Sequence, residues 1–148
     1  MAAWEESRLI CPGCSAKIER IQEPLCKKCG KPLDDEKREL CTDCKKKKHE
    51  FEQGKAVFVY SGGIRESLYR FKYSNRREYA DFYGEEALRR YEKWILNKKI
   101  QVIIPIPLHK KRQRGRGYNQ AELFARVIGA RFRNFKSIFQ IIFSFCLI

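Results

Sequence analysis

Apolar residues recur at three- and four-residue steps in three stretches of the chain, and this spacing predicts three amphipathic helices. The first covers residues 64–73, where one face carries Ile64, Leu68 and Phe71. The second covers residues 77–97, and its apolar stripe is mostly aromatic: Tyr79, Phe82, Tyr83, Leu88, Tyr91, Trp94 and Ile95. The third covers residues 120–132, with an apolar face formed by Leu123, Phe124, Val127 and Ile128. We interpret the aromatic stripe as a surface that packs against a sheet rather than a platform for stacking bases.

Two short apolar runs have a different pattern and predict β-strands. Residues 56–60 are rich in β-branched and aromatic side chains, and residues 100–106 form a mostly apolar run. Pro105 and Pro107 mark the end of the second run, because proline cannot donate a hydrogen bond to a ladder. The order strand, helix, strand, helix predicts a parallel α/β sheet, with a ligand at the carboxyl edge of its strands.

The predicted loop at residues 107–119 would lie at that edge. It contains two glycines and five cations: Lys110, Lys111, Arg112, Arg114 and Arg116. Asn119 is placed to cap the next helix, with Glu122 three residues later as in a capping box. Free backbone N–H groups and the positive end of a helix both favour anions, so the pattern predicts a phosphate site. His109 lies in the same loop, where we expect it to be a bystander.

The net charge of +14 is unevenly distributed, which strengthens the expectation of an anionic partner. Residues 1–50 hold 12 Lys/Arg against 10 Asp/Glu, whereas residues 51–148 hold 20 against 8. The second part is therefore expected to attract nucleotides, pyrophosphate or nucleic acid. The acidic N-terminus has no apolar signal segment, and the last eleven residues, 138–148, fall short of the ~20 that span a bilayer. We expect a cytoplasmic protein without a membrane span.

Six of the seven cysteines form three C-x-x-C pairs at intervals of 15 residues: Cys11 and Cys14, Cys26 and Cys29, Cys41 and Cys44. Two such pairs complete a tetrahedral thiolate site for structural zinc, which an intracellular setting favours over disulfides. The first two pairs fit a small zinc ribbon, but the last two have the same spacing, so the choice of four ligands is open. Because three pairs cannot form two sites of four sulfurs, one pair is left over, two sites share ligands, or another residue completes a second site. His49 is a candidate for that residue, although a solvated histidine after the lysine run is the simpler interpretation.

Taken together, these motifs resemble the ComF family of bacterial competence proteins. The likeness covers about residues 11–130 and consists of the three cysteine pairs and four runs: 71–73, 77–80, 105–109 and 116–122. It implies a double zinc ribbon at residues 1–50, followed by a phosphoribosyltransferase-like α/β domain of which residues 51–133 would be the N-terminal half. It also implies that the loop clamps pyrophosphate, through Arg112, Arg114, Arg116, Gly117, Asn119 and Gln120. Many family members carry eight cysteines in the ribbon, so the six present here put a second zinc site in doubt.

One motif of the family is missing from the sequence. Its members hold the ribose phosphate of phosphoribosyl pyrophosphate, with Mg²⁺, on an Asp-Asp-x-x-Thr-Thr-Gly loop, whereas the Asp-Asp pair here is Asp34–Asp35 in the cysteine-rich region. We therefore expect an incomplete domain that binds phosphate groups without transferring phosphoribosyl groups; Mg²⁺ and phosphoribosyl pyrophosphate would be ligands of a full-length domain. Residues 134–148 are interpreted as an aberrant apolar tail of a truncated or frame-shifted gene, with a terminal strand or a membrane-adhering tail as alternatives. Cys146, in this tail, has no base partner that would make it a nucleophile.

The resemblance also implies a link to DNA uptake in competence. The expected partners are a phosphorylated small molecule or single-stranded DNA, together with uptake machinery such as a competence helicase. The alternative function is a zinc-ribbon module that binds single-stranded nucleic acid, since a strongly positive segment suffices for salt-sensitive, sequence-indifferent binding. Whether the chain is an enzyme stays open at this point.

Overall fold

The computed structural model describes residues 9–132, and in this part of the chain nearly all regular structure is helical. The six helices of these residues are α1 Pro12–Ser15, α2 Thr42–Lys46, α3 Gly62–Tyr73, α4 Tyr79–Asn97, α5 Lys110–Arg116 and α6 Gln120–Arg131. None of them is long and apolar enough to cross a membrane. The predicted tail at 134–148, with Cys146, lies outside the described residues.

The three long helices confirm the helical pattern of the sequence. Helices α3, α4 and α6 pack around one core, and its least exposed side chains are Ile64, Tyr83 and Ile128. Each of these three comes from a different helix, so the core forms only when all three helices meet. The predicted face of α3 is fully buried, and the aromatic stripe of α4 faces the core throughout.

Helices α4 and α6 approach each other closely at a glycine. A Cβ atom added to Gly84 would lie 2.3 Å from Cγ1 of Val127 and 2.7 Å from its Cβ, far inside van der Waals contact. Glycine is therefore required here by the partner helix, because the side chain of Val127 fills the space that a larger residue would need. The aromatic stripe of α4 belongs to the same core, against which Phe58 and Ile103 from the two predicted strands also pack. Its packing against a sheet stays a prediction.

The two predicted strands are not paired into a sheet within residues 9–132. The amides of Ile21 and Val59 donate to the carbonyls of Val57 and Glu19, at 3.0 and 2.9 Å, and this antiparallel contact amounts to one isolated bridge. Residues 100–106 have no regular secondary structure and no bridge to another segment in the described part of the chain. A strand exists only with a hydrogen-bonded partner, which an apolar run alone cannot specify. The parallel α/β sheet therefore stays a prediction.

The segment predicted as a loop at residues 107–119 is instead mostly the short helix α5. His109 begins it, with Nδ1 accepting a hydrogen bond from the amide of Lys111 at 3.3 Å. Gly117 ends it in the left-handed conformation, with φ of 75°, where glycine avoids the steric cost of a side chain. His109 as N-cap and Gly117 as C-cap are the features of the sequence that mark this helix. They were missed because the run of cations and glycines was interpreted as a loop.

Candidate metal centre and cationic surface

Four cysteines converge at one point: Cys26, Cys29, Cys41 and Cys44. Their Sγ atoms all lie within 4.8 Å of one another, and the first three residues are buried. Four sulfurs at about 2.3 Å from a tetrahedral zinc ion would be roughly 3.8 Å apart. The Sγ atoms of Cys29 and Cys41 are 3.7 Å apart, so this donor set fits zinc.

Backbone turns place these sulfurs on two knuckles. After Cys29 the chain reverses at Gly30, whose φ is 78° and whose amide donates to the carbonyl of Cys26 at 2.8 Å. The second knuckle opens α2, where Cys41 is the N-cap and its carbonyl accepts from the amide of Lys45 at 3.0 Å. We call residues 24–47 the cysteine module.

The thiols of Cys26, Cys29 and Cys44 differ in how readily they ionise. Burial works against the Cys26 thiolate, but amide donors, including the Cys41 N–H at 3.3 Å, lower the pKa of Cys26 to about 6. Burial raises the pKa of Cys44 to about 11 and raises the pKa of Cys29 further. The Cys26 thiolate is therefore favoured while burial opposes the thiolates of Cys29 and Cys44, and a divalent metal would remove that conflict.

The remaining pair, Cys11 and Cys14, lies apart from the four-sulfur cluster. Both residues are exposed at α1, and the Cys14 amide donates to Cys11 Sγ at 3.4 Å, which lowers the pKa of the Cys11 thiol. Metal binding by this pair stays a prediction. His49 is not in the cluster either; its ring stacks on Phe51 with centroids 4.9 Å apart.

Contacts of Gln53 join the cysteine module to α4. Its side-chain amide donates to the Lys27 carbonyl at 3.1 Å, and its oxygen accepts from Trp94 Nε1 at 3.2 Å. The ammonium of Lys55 lies over the rings of Trp94 and Tyr91, at 5.1 and 5.5 Å, and burial there lowers the pKa of Lys55. The module is thus seated on the helical region through a small polar and aromatic contact.

The predicted phosphate residues lie on α5 and on the turn into α6, which we call the cationic segment, residues 107–120. The first four cations of this segment are exposed and form no ion pair within residues 9–132: Lys110, Lys111, Arg112 and Arg114. In contrast, the nearby Arg126 and Arg131 are paired with Glu122 and Glu92.

Arg116 is held by neighbouring side chains rather than left free. Its guanidinium donates to Gln120 Oε1 at 3.0 Å and to the hydroxyl of Tyr73 at 3.1 Å, and lies 4.7 Å from the centre of the Tyr73 ring. The Gln120 Nε2 donor is buried without an acceptor of its own among the described residues. The guanidinium of Arg116 is therefore held in one orientation at the end of α5, whereas the Gln120 donor is shielded from solvent.

The start of α6 matches the predicted cap. Asn119 is buried, its Oδ1 accepts from the Ala121 amide at 3.0 Å, and its Nδ2 donates to the Ile106 carbonyl at 2.9 Å. This side chain therefore ties the segment 100–106 to the start of α6. Glu122 does not complete a capping box; it binds Arg126 one turn further along the helix.

Two residues beside the cationic segment were not predicted as site residues. The guanidinium of Arg77 lies 5.0 Å from the ring centre of Tyr118, and its Nη2 would be 3.3 Å from a Cβ added to Gly117. Tyr73 holds Arg116, as described above. Both belong to short runs that matched the family pattern in the sequence, but their proximity to residues 116–118 arises from the packing of α3 and α4 against the turn.

Comparison with known proteins finds one family model and three similar competence proteins. Residues 2–45 match the double zinc ribbon domain. Competence protein ComFC of Bacillus subtilis (strain 168) is 29% identical over 125 residues, covering 80% of this chain and 51% of that protein. ComFC of Streptococcus pneumoniae (strain ATCC BAA-255 / R6) is 30% identical over 129 residues, with 81% and 52% coverage. Competence protein F of Haemophilus influenzae (strain ATCC 51907 / DSM 11121 / KW20 / Rd) is 28% identical over 125 residues, with 79% and 51% coverage.

The four-sulfur cluster and the ribbon match define a zinc-ribbon protein with a helical region attached. The similarity to three competence proteins carries the identification further: the chain belongs to the ComF family. It spans about half the length of the curated relatives it matches. No solved structure matches the chain at a significant level.

Proposed function

We propose that this ComF-family protein binds the phosphate groups of a ligand through the cationic segment, residues 107–120. The observation that carries the proposal is a set of four exposed cations on one short helix without an acidic partner in the described residues. Like charges three or four residues apart on a helix destabilise it, so α5 bears a cost that a bound anion would remove. Lys110 with Arg114, and Arg112 with Arg116, are such pairs.

The turn into α6 supports the same ligand class. Arg116 is oriented by Tyr73 and Gln120, which leaves part of its guanidinium fork available for phosphate oxygens. Gly117 brings the backbone into a left-handed turn, and the amide end of the twelve-residue α6 begins three residues later, at Gln120. We propose that free cations attract the phosphate and that this turn fixes its position.

We further propose that the 148-residue chain binds phosphate-bearing ligands without transferring phosphoribosyl groups. Transfer needs an acidic site for ribose hydroxyls and Mg²⁺ opposite the pyrophosphate clamp, and the sequence contains no Asp-Asp-x-x-Thr-Thr-Gly motif. Incubation with Mg²⁺ and phosphoribosyl pyrophosphate should release no pyrophosphate above the uncatalysed rate. Saturable pyrophosphate release by the purified chain would contradict this part of the proposal.

Isothermal titration with pyrophosphate tests the binding site itself. The variant Arg112→Gln/Arg114→Gln removes two unpaired cations and should weaken binding at least about tenfold, because a charge-assisted hydrogen bond contributes roughly 1.5–3 kcal/mol. The matched control Arg126→Gln/Arg131→Gln removes the same net charge from paired positions and should change the affinity less than about threefold. Equal losses in the two variants would show attraction by net charge alone and would reject the site.

A further inference from the structure

Cys11 and Cys14 are used neither by the four-sulfur cluster nor by the proposed phosphate site. Both are exposed and both are free thiols. No third metal-ligating side chain of residues 9–132 converges on them, whereas a structural zinc ion needs four ligands. Within this part of the chain the pair is therefore only half of a zinc site, and its thiols are open to a different chemistry.

The backbone holds these two cysteines close enough to be joined. Pro12 and Gly13 form the start of α1 between them, and the amide of Ser15 donates to the carbonyl of Cys11 at 2.9 Å. Residues three apart across a helical turn have Cα atoms roughly 5 Å apart, within the range of about 4.4–6.8 Å that disulfides need. A disulfide across α1 therefore requires little movement of the backbone.

The two sulfurs of the pair have different surroundings. The amide of Cys14 donates to Sγ of Cys11 at 3.4 Å, so a hydrogen-bond donor is already directed at negative charge on that sulfur. This contact makes Cys11 the more readily available nucleophile. Cys14, one turn away, is then placed to attack a sulfur bonded to Cys11.

A pocket with a volume of about 350 Å³ opens beside the pair, between α1, α3 and α4. Both cysteines line it together with apolar side chains such as Ile18 and Phe82, and its volume suits a small molecule. Of its two cations, Arg70 is paired with Glu66 at 2.5 Å, whereas Lys17 forms no ion pair among the described residues. The pocket therefore favours a small ligand with negative charge.

We propose that Cys11 and Cys14 form a redox-active dithiol, which the disulfide of an anionic low-molecular-weight thiol oxidises reversibly. The Cys11 thiolate first attacks one sulfur of that disulfide, so that a mixed disulfide forms on Cys11 and one small thiolate leaves. The Cys14 thiolate then attacks Cys11 Sγ, which closes the protein disulfide and releases the second small thiolate. Two electrons pass from the protein to the small disulfide, and the two thiol protons end on the two released thiols. This inference does not depend on phosphate binding.

Incubation of the full, zinc-loaded chain with glutathione disulfide tests the proposal, with acid quenching, alkylation and mass spectrometry of its peptides. The parent chain should form a disulfide between Cys11 and Cys14, retain its zinc, and lose the disulfide when excess reduced glutathione is added. Cys14→Ser should stop at a glutathione mixed disulfide on Cys11, because the second thiol is absent. Absence of any product at these two cysteines, oxidation that begins at the four-sulfur cluster with loss of zinc, or a second zinc ion on the pair would each overturn the proposal.

The rates of the two single variants test which sulfur attacks first. Cys14→Ser, which keeps Cys11, should gain its mixed disulfide at least about threefold faster than Cys11→Ser, which keeps Cys14. The reason is that only the Cys11 sulfur accepts a backbone hydrogen bond from its partner. Equal rates, or a faster reaction at Cys14, would overturn the proposed order of attack.

Lys17→Gln tests the pocket and the charge of its ligand. It should slow oxidation by glutathione disulfide roughly two- to fivefold, as expected for one exposed charge pair, and leave the rate with uncharged hydroxyethyl disulfide within about 1.5-fold. The matched control Lys93→Gln removes an exposed lysine of α4 that is outside the pocket and unpaired among the described residues, and it should change neither rate. Equal slowing by both lysine variants would show attraction by net charge alone and would reject the pocket as the site of exchange.

Discussion

The cysteine module and the helical region are stabilised in different ways. The buried apolar side chains of the module are three of its four converging cysteines, and Leu33 and Leu40 pack beside them. The helical region instead buries twelve side chains from α3, α4, α6 and Tyr118 in one core. Fewer than about 40 residues rarely form a sufficient core, so we expect the module to need its metal. We expect the helical region, with its larger core, to depend on the metal less.

Removal of zinc tests this contrast most strongly. A high-affinity chelator at neutral pH should unfold the cysteine module, because structural zinc contributes an apparent ~10–16 kcal/mol in small zinc domains. Hydrogen exchange should show lost protection at residues 24–47 and retained protection in α4. Simultaneous loss of protection in both regions would show that they fold as one unit.

Substitution of single cysteines provides the matched control for that experiment. Cys41→Ser should reduce the zinc content from one ion per chain to none, because Cys41 is buried within the cluster. Cys14→Ser should keep one zinc ion, since Cys14 is exposed and outside the cluster. A zinc content of two in the parent chain would assign a second ion to the pair at α1 and would contradict this expectation.

Acid should release the metal before it affects the helical region. In the metal-free chain the pKa of Cys26 is lowered to about 6, below its ordinary value of 9.0. Without metal, the contribution of Cys26 to stability is therefore complete above pH 9, declines as pH falls, and is lost below about pH 6. With metal, a chromophoric chelator should report zinc release that increases as pH falls, because protons compete with zinc for the thiolates, while circular dichroism of the helices persists.

Overpacking at Gly84 should affect the helical region alone. Gly84→Ala inserts a methyl group against Val127 and should lower the free energy of unfolding by about 1–3 kcal/mol. The double variant Gly84→Ala/Val127→Ala should recover part of this loss, because the clash is removed. Denaturant midpoints measure both effects, and an unchanged zinc affinity in all variants would support the independence of the module.

The buried carboxylate of Glu86 should give the smallest effect. Glu86 is 6% exposed and binds Arg20 at 2.5 Å and Arg89 at 3.0 Å, which joins the segment after α1 to α4. Glu86→Gln should cost about 1–2 kcal/mol of unfolding free energy, since both arginines are partly solvated and screened. The surface control Glu122→Gln should cost less than about 0.5 kcal/mol, and an equal cost would show that burial adds nothing.

The periodicity of apolar residues predicted the three long helices well, because the residues of one buried helix face recur at regular intervals within a single segment. The faces of α3 and α6 and the cap at Asn119 are local signals of that kind. The sequence did not determine which four cysteines bind zinc. The pairs 11/14 and 41/44 are each 15 residues from the middle pair, 26/29, so either could join it. Only the path of the chain between the knuckles brings Cys41 and Cys44 to Cys26.

The sequence was less informative where structure depends on distant partners. Residues 100–106 have strand composition, but the described residues supply no neighbour for them. The role of Tyr73 beside Arg116 spans 43 positions and follows from how α3 packs against the turn. The unpaired state of Arg112 and Arg114, which supports the proposed function, is likewise visible only when all nearby carboxylates have been placed.

The hydrogen bonds of Gln53 give the protein an intrinsic optical probe. Trp94 binds Gln53, which in turn binds the Lys27 carbonyl in the first zinc knuckle, and the Lys55 ammonium lies over the indole. The sequence has one other tryptophan, Trp4, which Trp4→Phe would remove. Tryptophan emission in that background would follow the docking of the metal module on α4 in real time, without an attached dye.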